Sequence, residues 1–302
     1  MNISENPSGL FEYRPAAWLK VTGDDVLDFL QSQVTQDLRS QEAGAVSYAL
    51  WLSQKGRLLA DSLIFKISDH EFRILSHGTS GSFFRERMET YIVADDVIVE
   101  DFSSVWHGVL ACGEAAVRWV SDSTGAMLRS KKFHRSGGGF LFSGRRGIEP
   151  SVEWISETKL LLPQRADPLL GVEAVDRGRI LAGIPAVPAD VGPGELPQEA
   201  GLEESAISFS KGCYLGQETM ARLRSMGQIR RKLMRVVGEG QRPAEQPHAL
   251  YQGAARIGEL RTTASLSAGG YVGFALIVLR GFDPAQGLSL EPNGPEQLRV
   301  FQ

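Results

Sequence analysis

Apolar positions recur along the chain at two different spacings, and each spacing predicts one type of element. Residues 18–21 read as a short strand, and the apolar residues of segment 26–39 recur at helical intervals. From 46 to 76 the pattern changes to three strands separated by polar turns, and a helix over 80–92 precedes a strand at 97–100. Strands followed by a helix and a further strand indicate the α+β class, not a doubly wound sheet.

The middle of the chain has a weaker pattern. A strand at 108–112 and a helix at 114–120 are predicted, which makes Cys112 a core residue. From 127 to 162 apolar pairs alternate with glycine-rich segments, as in strands joined by exposed turns, and we assign no chemistry to those turns. A further helix is predicted over 173–182.

The last third of the chain begins with a loop. Segment 185–201 holds four prolines and three glycines in seventeen residues, so it must run extended, either as a connector between domains or as a wall of a binding site. Between 233 and 279, short strands alternate with glycine and serine turns. This pattern predicts a small antiparallel β-barrel as a separate C-terminal domain.

Size and composition describe an ordinary globular protein. At 302 residues the chain is long enough for two or three domains, and 42% hydrophobic with 23% charged residues supplies a normal core. The net charge of −4 argues against binding nucleic acid or an anionic membrane with the whole surface. We therefore expect no direct nucleic-acid partner and no membrane association.

Cysteine and histidine usage narrows the chemistry further. The two cysteines, Cys112 and Cys213, are far apart and form no Cys-x-x-Cys pair, which fits a reducing compartment. The first residues have neither a basic segment nor an apolar segment of the signal-peptide type, so a cytoplasmic location is predicted. None of the five histidines has metal-ligand spacing, and we predict no metal site.

The stretch from Ser208 to Arg235 contains the strongest candidate for chemistry. Cys213 follows Gly212 near the predicted start of a helix, and Lys211 lies two residues before it. A helix N-terminus and a neighbouring ammonium both favour thiolate over thiol, which makes Cys213 a candidate reactive sulfur. The alternative is a small buried hydrophobic residue, which most free cysteines are.

Two other features of this stretch have open interpretations. Gln217 and Glu218 either orient Cys213 or hold the start of the helix through backbone N–H groups. Six basic residues follow without an acidic one between Glu218 and Glu239. They form either a solvated face or a site for a carboxylate, a phosphate or an acidic partner, and the lack of interleaved aromatic residues disfavours RNA.

Segment 211–218, Lys-Gly-Cys-Tyr-Leu-Gly-Gln-Glu, together with Ala221-Arg222 and Met226-Gly227, resembles the signature of the YgfZ family. Members of that family are folate-binding relatives of the glycine-cleavage aminomethyltransferase that support iron-sulfur cluster assembly or repair, including clusters used in tRNA modification. Weaker similarities to the aminomethyltransferase superfamily cover much of the remaining chain, at 19–24, 29–37, 56–61, 179–190 and 258–273.

The resemblance implies an aminomethyltransferase-like folate-binding fold, with three domains around a central cavity. The expected first domain is discontinuous, 1–45 plus 113–225, and carries the Cys213 motif. The expected second domain is an α+β unit over 46–112, and the expected third is the barrel over 226–302.

The resemblance also implies a function. We expect a tetrahydrofolate-binding accessory protein with Cys213 and Lys211 as its reactive pair, and with iron-sulfur assembly or client proteins as partners. The expected folate-binding residues are Asp61, Tyr214, Gln217, Glu218 and Arg222. A single cysteine supplies one ligand, so a transient iron-sulfur cluster would need glutathione, a second subunit or a partner protein for the others.

Two positions depart from the superfamily pattern. Leu181 stands where the aminomethyltransferases carry a glutamate that holds the pterin, and a leucine accepts no hydrogen bond, so weaker or differently placed folate binding is expected. Asp61 is what remains of an acidic pair, and either faces the folate nitrogens or is a solvated strand residue.

The alternatives in function are a folate-dependent aminomethyltransferase or demethylase and a purely structural interaction module. Whether any reaction is catalysed stays open, with a non-enzymatic or weakly catalytic role favoured.

Overall fold

The structure is a computed structural model that describes residues 7–125, 130–147, 150–159 and 169–301. Its strands, in chain order, are β1 (Gly9–Tyr13), β2 (Ala17–Thr22), β3 (Val46–Leu52), β4 (Leu58–Ser68), β5 (Glu71–Ser76), β6 (Ile98–Asp101), β7 (His107–Cys112), β8 (Phe133–Ser136), β9 (Gly139–Phe142), β10 (Ser151–Ser156), β11 (Arg231–Gly238), β12 (His248–Gln252), β13 (Ala255–Ser265), β14 (Tyr271–Val278) and β15 (Leu298–Phe301). Its helices are α1 (Val26–Gln33), α2 (Gly81–Tyr91), α3 (Glu114–Thr124), α4 (Val172–Leu181), α5 (Glu203–Ala206) and α6 (Gln217–Met226), with a 3₁₀ turn at Pro197–Ala200.

The strands form three antiparallel sheets of five strands each. The orders are β3-β4-β5-β2-β6, β1-β7-β10-β9-β8 and β12-β13-β14-β11-β15. We call them the meander sheet, the second sheet and the C-terminal sheet.

The meander sheet has a different neighbour on each face. One face packs on α1 and α2 through Val26, Leu30, Phe84 and Met88. The other face meets the second sheet through an aromatic cluster in which Trp18 contacts the rings of Phe65, Trp106 and Phe140. Rings of this size bury much apolar area, so this cluster holds the two sheets together.

The C-terminal sheet is curled into a half-barrel. Its two edge strands, β12 and β15, both approach the segment at 288–289, through isolated bridges from Tyr251 to Ser289 and from Leu288 to Leu298. Helix α4 covers part of the sheet, with Ile180 packed against Ala264 and Phe274. This arrangement ties the sheet to the helix that borders the central cavity.

The predicted α+β class is confirmed, the predicted C-terminal β-barrel is present as a curled antiparallel half-barrel, and most element limits agree within two residues. The prediction for 26–39 is wrong in its second half, because α1 ends at Gln33 and Val34 turns to an extended conformation to bridge Trp51. Val34 and Leu38 are nevertheless fully buried, which explains why the apolar spacing continued past the helix. Strand β15 lies beyond the predicted strands, and β13 is a continuous strand of 11 residues within the region where short strands were predicted.

Parts of the predicted 127–162 segment lie outside the described residues, and β8, β9 and β10 occupy the described parts of it. The domain limits 1–45 plus 113–225, 46–112 and 226–302 stay a prediction. Strand pairing crosses the limit between residues 45 and 46, because β2 pairs with β5. It also crosses the limit between residues 112 and 113, because β7 pairs with β10. Over the described ranges, no helix has the length and apolar character to span a bilayer.

Candidate functional site

A cavity of about 410 Å³ lies where the three sheets meet. The meander sheet, the loop 143–147, helix α4, the loop 185–189 and the C-terminal sheet all contribute to its wall. Its polar lining residues are Tyr48, Asp61, Ser62, Ser76, His77, Arg145, Arg146, Asp176, Arg179 and Thr262. The extended loop predicted from its prolines and glycines is therefore a wall of a cavity.

Asp61 and Tyr48 come from adjacent strands of the meander sheet. Asp61 on β4 lies opposite Leu50 on β3, and Tyr48 is two residues before Leu50, so both side chains point to the same face. Tyr48 Oη donates a hydrogen bond to Asp61 Oδ2 at 2.9 Å. Burial raises the pKa of Asp61, although the Tyr48 hydrogen bond and the charges of His77 and Arg145 oppose the rise. Asp61 is thus a half-buried hydrogen-bond acceptor at the cavity wall, not a fully solvated strand residue.

A second carboxylate stands behind the cavity wall. Glu153 on β10 is completely buried, and its Oε2 accepts hydrogen bonds from Tyr13 Oη and from His77 Nε2, the latter at 2.7 Å. Burial alone would raise the pKa of Glu153, but the His77 charge and hydrogen bond, with Arg146 and Tyr13, hold it below its ordinary value. Glu153 is therefore an ionised group that fixes a cavity-lining histidine.

The loop 143–147 brings two arginines to the cavity. Gly144 makes the approach possible, because a Cβ at that position would lie 1.7 Å from Glu153 Oε1. The Arg145 guanidinium stacks on the Tyr48 ring at 3.9 Å, and that of Arg146 lies 4.7 Å from the Tyr13 ring. The sequence predicted an exposed turn here, and the structure corrects it, since both arginines are half-buried at the cavity wall.

Helix α4 and the proline-rich loop are locked together by a buried arginine. Arg179 donates to Asp176 at 2.6 Å and, through Nη1, to the fully buried Asp190. Asp190 Oδ2 also accepts the Ala186 backbone N–H at 2.7 Å. These contacts hold the 185–189 wall against the helix.

The Cys213 motif lies apart from this cavity. Cys213 is exposed, whereas Lys211 is buried and its Nζ donates to the carbonyls of Gln31, Val34 and Gln36 at 2.7–2.8 Å. Burial lowers the pKa of Lys211 to about 7, with Asp37 opposing the shift and Arg39 adding to it. The Lys211 ammonium is thus directed at the end of α1.

The predicted helix start next to Cys213 is displaced. Helix α6 begins at Gln217 after Gly216, so Cys213 precedes the helix and is outside its first turn. The helix-terminus part of the thiolate argument is therefore not supported by the fold. The sulfur is exposed, which excludes the alternative of a buried core residue, and the reactivity of Cys213 stays a prediction.

The other predicted folate-binding residues do not line the central cavity. Tyr214 is buried in an apolar cluster, Gln217 Nε2 lies 3.5 Å from the Lys211 carbonyl oxygen, and Glu218 forms an exposed ion pair with Arg222 at 2.9 Å. Asp61 is the member of the predicted set that the fold brings to the cavity. A folate contact by the others stays a prediction.

Leu181, the residue that replaces the superfamily glutamate, is also absent from the described cavity lining. It is partly buried against Ile180 and its neighbours on the C-terminal sheet. The cavity carboxylates are instead Asp61 and Asp176, with Glu153 behind the wall.

The basic run after Glu218 is divided among separate contacts. Arg231 pairs with Glu199 at 2.9 and 3.0 Å, and Arg235 donates to the Leu181 carbonyl at 2.5 Å. Arg224 stacks on the Phe209 ring at 4.2 Å and lines a second, open cleft of about 1200 Å³. That cleft shares Tyr48, Leu63 and Arg145 with the central cavity, so Arg145 stands at the junction of the two.

Sequence reasoning missed His77, Arg145 and Arg146. Each is isolated in the sequence from the partner that defines its role, as His77 is 76 residues from Glu153. The glycines on either side of the arginine pair were the one local signal of a constrained loop. Among the described residues, no group of three or more histidine, cysteine, aspartate or glutamate side chains is arranged to hold a metal ion.

Comparisons with known proteins agree with this architecture. The family described as GCVT N-terminal domain matches residues 2–136. The tRNA-modifying protein YgfZ of Vibrio vulnificus strain YJ016 is 28% identical over 221 residues, which cover 73% of this chain and 67% of that protein. The human mitochondrial iron-sulfur cluster assembly factor IBA57 is 28% identical over 239 residues, covering 72% of this chain and 63% of its own length.

A solved structure extends the agreement to the whole fold. The glycine cleavage system aminomethyltransferase T from Bartonella henselae superposes with a TM-score of 0.82 at 17% identity, over 99% of this chain and 86% of the other. This similarity establishes the three-sheet architecture as aminomethyltransferase-like. The curated relatives, the match to the GCVT N-terminal domain and the sequence signature together support a YgfZ-type protein.

Proposed function

We propose that this chain is a tetrahydrofolate-binding accessory protein that supports the assembly or repair of iron-sulfur clusters, including clusters used in tRNA modification. Folate binds in the central cavity, and Cys213 handles sulfur, iron or a transient cluster at the surface. Names of the relatives support the cluster role, because they include tRNA-modifying proteins and an iron-sulfur cluster assembly factor.

The observation that carries the folate part is the half-buried Asp61 at the cavity wall. Its carboxylate accepts one hydrogen bond from Tyr48 and retains acceptor capacity toward the cavity. The amine and ring N–H groups of a reduced pterin are donors that fit such an acceptor. A volume of about 410 Å³ also lies within the range of cavities that enclose small organic ligands.

The donor set on the same wall fits the remainder of a folate. Arg145 and Arg146 have no carboxylate within ion-pair distance among the described residues, and Arg145 reaches both the cavity and the open cleft. A guanidinium there suits a carboxylate-bearing ligand that extends from the cavity into the cleft. Tetrahydrofolate, when bound, supplies ring nitrogens that carry one-carbon units.

The exposed sulfur of Cys213 supports the cluster part. A single thiolate supplies one ligand, so iron or a cluster is cargo shared with a partner protein, glutathione or a second copy. An exposed cysteine on a loop before a helix is accessible to such a partner. Lys211 keeps that loop docked on α1.

Calorimetric titration of the purified protein with 5-formyltetrahydrofolate tests the folate part. We expect saturable binding that falls at least about tenfold in Asp61→Ala, since a buried charge-assisted hydrogen bond is worth about 1.5–3 kcal/mol. Glu89→Ala, which removes an exposed carboxylate that does not line the cavity, is the matched control and should bind as the wild type does. Equal affinity of wild type and Asp61→Ala would contradict this site.

Cellular complementation tests the cluster part. In cells that lack the endogenous homologue, Cys213→Ser should lose support of cluster-dependent enzymes while the purified variant keeps its stability and folate affinity. Cys112→Ser is the matched control.

The alternative, a folate-dependent aminomethyltransferase or demethylase, rests on the fold similarity alone. It predicts tetrahydrofolate-dependent turnover that survives Cys213→Ser. Full complementation by Cys213→Ser, with measurable turnover, would favour that alternative.

A further inference from the structure

The open cleft of about 1200 Å³ is continuous with the central cavity. Tyr48, Leu63 and Arg145 line both hollows, so the two meet at these side chains. Strand β3, the segment 130–132, helix α5, the segment 207–210 and helix α6 all contribute to the wall of the cleft. A ligand held in the cavity can therefore extend past Arg145 into the cleft.

Three cations of the cleft, Lys131, Arg145 and Arg224, have no carboxylate within ion-pair distance in the described ranges. The Arg145 guanidinium lies 3.9 Å from the centre of the Tyr48 ring, and that of Arg224 lies 4.2 Å from the centre of the Phe209 ring. Stacking uses the flat face of a guanidinium and leaves N–H donors at its edge for an anion. Both arginines are thus oriented by an aromatic ring.

The exposed Lys131 is held in place by its backbone. Its carbonyl accepts the Val46 N–H at 2.9 Å, and the next residue, Lys132, forms an antiparallel bridge with Ala45. These contacts attach the segment 130–132 to β3, which is an edge strand of the meander sheet. The Lys131 ammonium therefore stands on a fixed part of the cleft wall.

Two of the three carboxylates that line the cleft already have partners. Glu42 pairs with Lys132 at 3.0 Å, and Asp37 accepts a hydrogen bond from Gln31 Nε2 at 2.8 Å. The third, Glu204 on α5, is exposed. Unpaired positive charge thus exceeds unpaired negative charge, which favours an anionic ligand.

The other polar groups of the cleft are hydroxyls and side-chain amides. They belong to Gln36, Ser40, Gln41, Ser47, Ser130, Ser143, Ser205, Ser208 and Ser210. Hydroxyl and amide groups both donate and accept hydrogen bonds, so they suit a ligand with peptide-like links between its charges.

We propose that the cleft binds an oligo-γ-glutamyl chain that continues from the folate in the central cavity. Each residue of such a chain carries one free α-carboxylate and adds one amide link. Arg145 at the junction binds the first carboxylate, and Lys131 and Arg224 bind those of the following residues. This inference rests on the proposed function, which places the pterin end of folate in the cavity.

The covalent link to folate distinguishes this chain from a free γ-glutamyl peptide such as glutathione. Ion pairs in an open cleft are exposed to solvent, and each contributes little to binding. A tether gives the chain an effective concentration of about millimolar at the cleft, so weak contacts suffice. The free peptide has no such advantage.

Calorimetric titration with the monoglutamyl and triglutamyl forms of 5-formyltetrahydrofolate measures the contribution of the cleft as the ratio of the two Kd values. We expect the wild type to bind the triglutamyl form about threefold to tenfold more tightly at low ionic strength, through two added exposed ion pairs. This gain should largely disappear in about 1 M salt, where the Debye length is about 3 Å. A gain that is independent of salt would contradict the ion pairs.

Charge removal tests the assigned residues. The double variant Lys131→Gln/Arg224→Gln should bring the ratio of Kd values close to one. Arg85→Gln/Lys232→Gln, which removes an exposed arginine and an exposed lysine that do not line the cleft, is the matched control and should keep the wild-type ratio. Equal ratios in the two double variants would overturn the assignment of these cations.

The remaining outcomes separate this inference from the proposed function. Monoglutamyl binding with no gain for the triglutamyl form would overturn the inference and leave folate in the cavity. Binding of neither form would refute the proposed function and this inference with it. Free tri-γ-glutamate and glutathione are titrated alone, and either one binding as tightly as the triglutamyl folate would assign the cleft to a free peptide and overturn the tail.

Discussion

Replacing Lys211 by methionine tests whether this residue is a structural clamp. Its ammonium donates three hydrogen bonds, to the carbonyls of Gln31, Val34 and Gln36, and these match the three protons that an ammonium can donate. Methionine fills a similar volume without any donor. Three carbonyls at the end of α1 would then lose their partner in a buried region.

The size of the effect follows from those contacts. Each buried acceptor left without a donor costs about 1–3 kcal/mol, so complete loss of three would exceed about 3 kcal/mol. Water entering beside the half-buried Gln36 carbonyl, and relief from burying an ammonium, offset part of this cost. We expect a net decrease of about 3 kcal/mol in the free energy of unfolding.

Urea unfolding followed by circular dichroism measures this decrease, and thermal melting provides a second measure, with an expected drop of at least about 4 °C. Lys232→Met, which replaces an exposed lysine with the same residue, is the control and should stay within about 0.5 kcal/mol of the wild type. A Lys211→Met protein as stable as this control would refute the clamp. Any loss of function in Lys211 variants could then be assigned to chemistry at Cys213.

Four other predictions concern the cavity and the cysteines. Asp61→Asn should raise the free energy of unfolding at pH 7 by about 0.5–2 kcal/mol and weaken folate binding. Burial raises the pKa of Asp61, so the ionised carboxylate opposes folding at pH values above its ordinary pKa of 3.8. Urea unfolding at pH 7 tests this, and a less stable variant would contradict it. Glu153→Gln should reduce the loss of stability on acidification. The pKa of Glu153 is held below 4.5, so its contribution to stability is complete above that value and is lost as pH falls through the native pKa. Melting temperatures measured from about pH 7 to 3 should fall less steeply for the variant than for the wild type, and parallel plots of melting temperature against pH would argue against this. Gly144→Ala should destabilise the protein by about 1–3 kcal/mol and weaken folate binding, since its Cβ would lie 1.7 Å from Glu153 Oε1. Gly212→Ala, with open space around the added Cβ, should leave the stability nearly unchanged. Equal melting temperatures for the two variants would show that the loop 143–147 accommodates the Cβ without cost. Iodoacetamide should alkylate Cys213 in the native protein but Cys112 only after unfolding, because Cys112 is 1% exposed and burial raises its pKa to about 11. Mass spectrometry of the two cysteine-containing peptides measures the extent of labelling. Labelling of Cys112 in the native protein at a rate comparable to that of Cys213 would count against the described core.

The sequence specified the local elements well where the apolar spacing was long and regular. The limits of β3 and α2 follow directly from that pattern. The same reasoning extended α1 too far, because Val34 and Leu38 are buried without being helical. Periodicity reports which residues are buried, and several backbone paths can bury the same residues.

The candidate site divides in the same way. The sequence determined that Cys213 is the cysteine of the signature and that Asp61 is an acidic residue on a strand, but it left open whether Asp61 faces a ligand or solvent. Only the tertiary structure decided that Lys211 faces the end of α1, and that His77, Arg145 and Glu153 converge from separate segments. Spacing along the chain records local geometry, whereas burial and charge at a cavity depend on contacts between residues tens of positions apart, which no local pattern encodes.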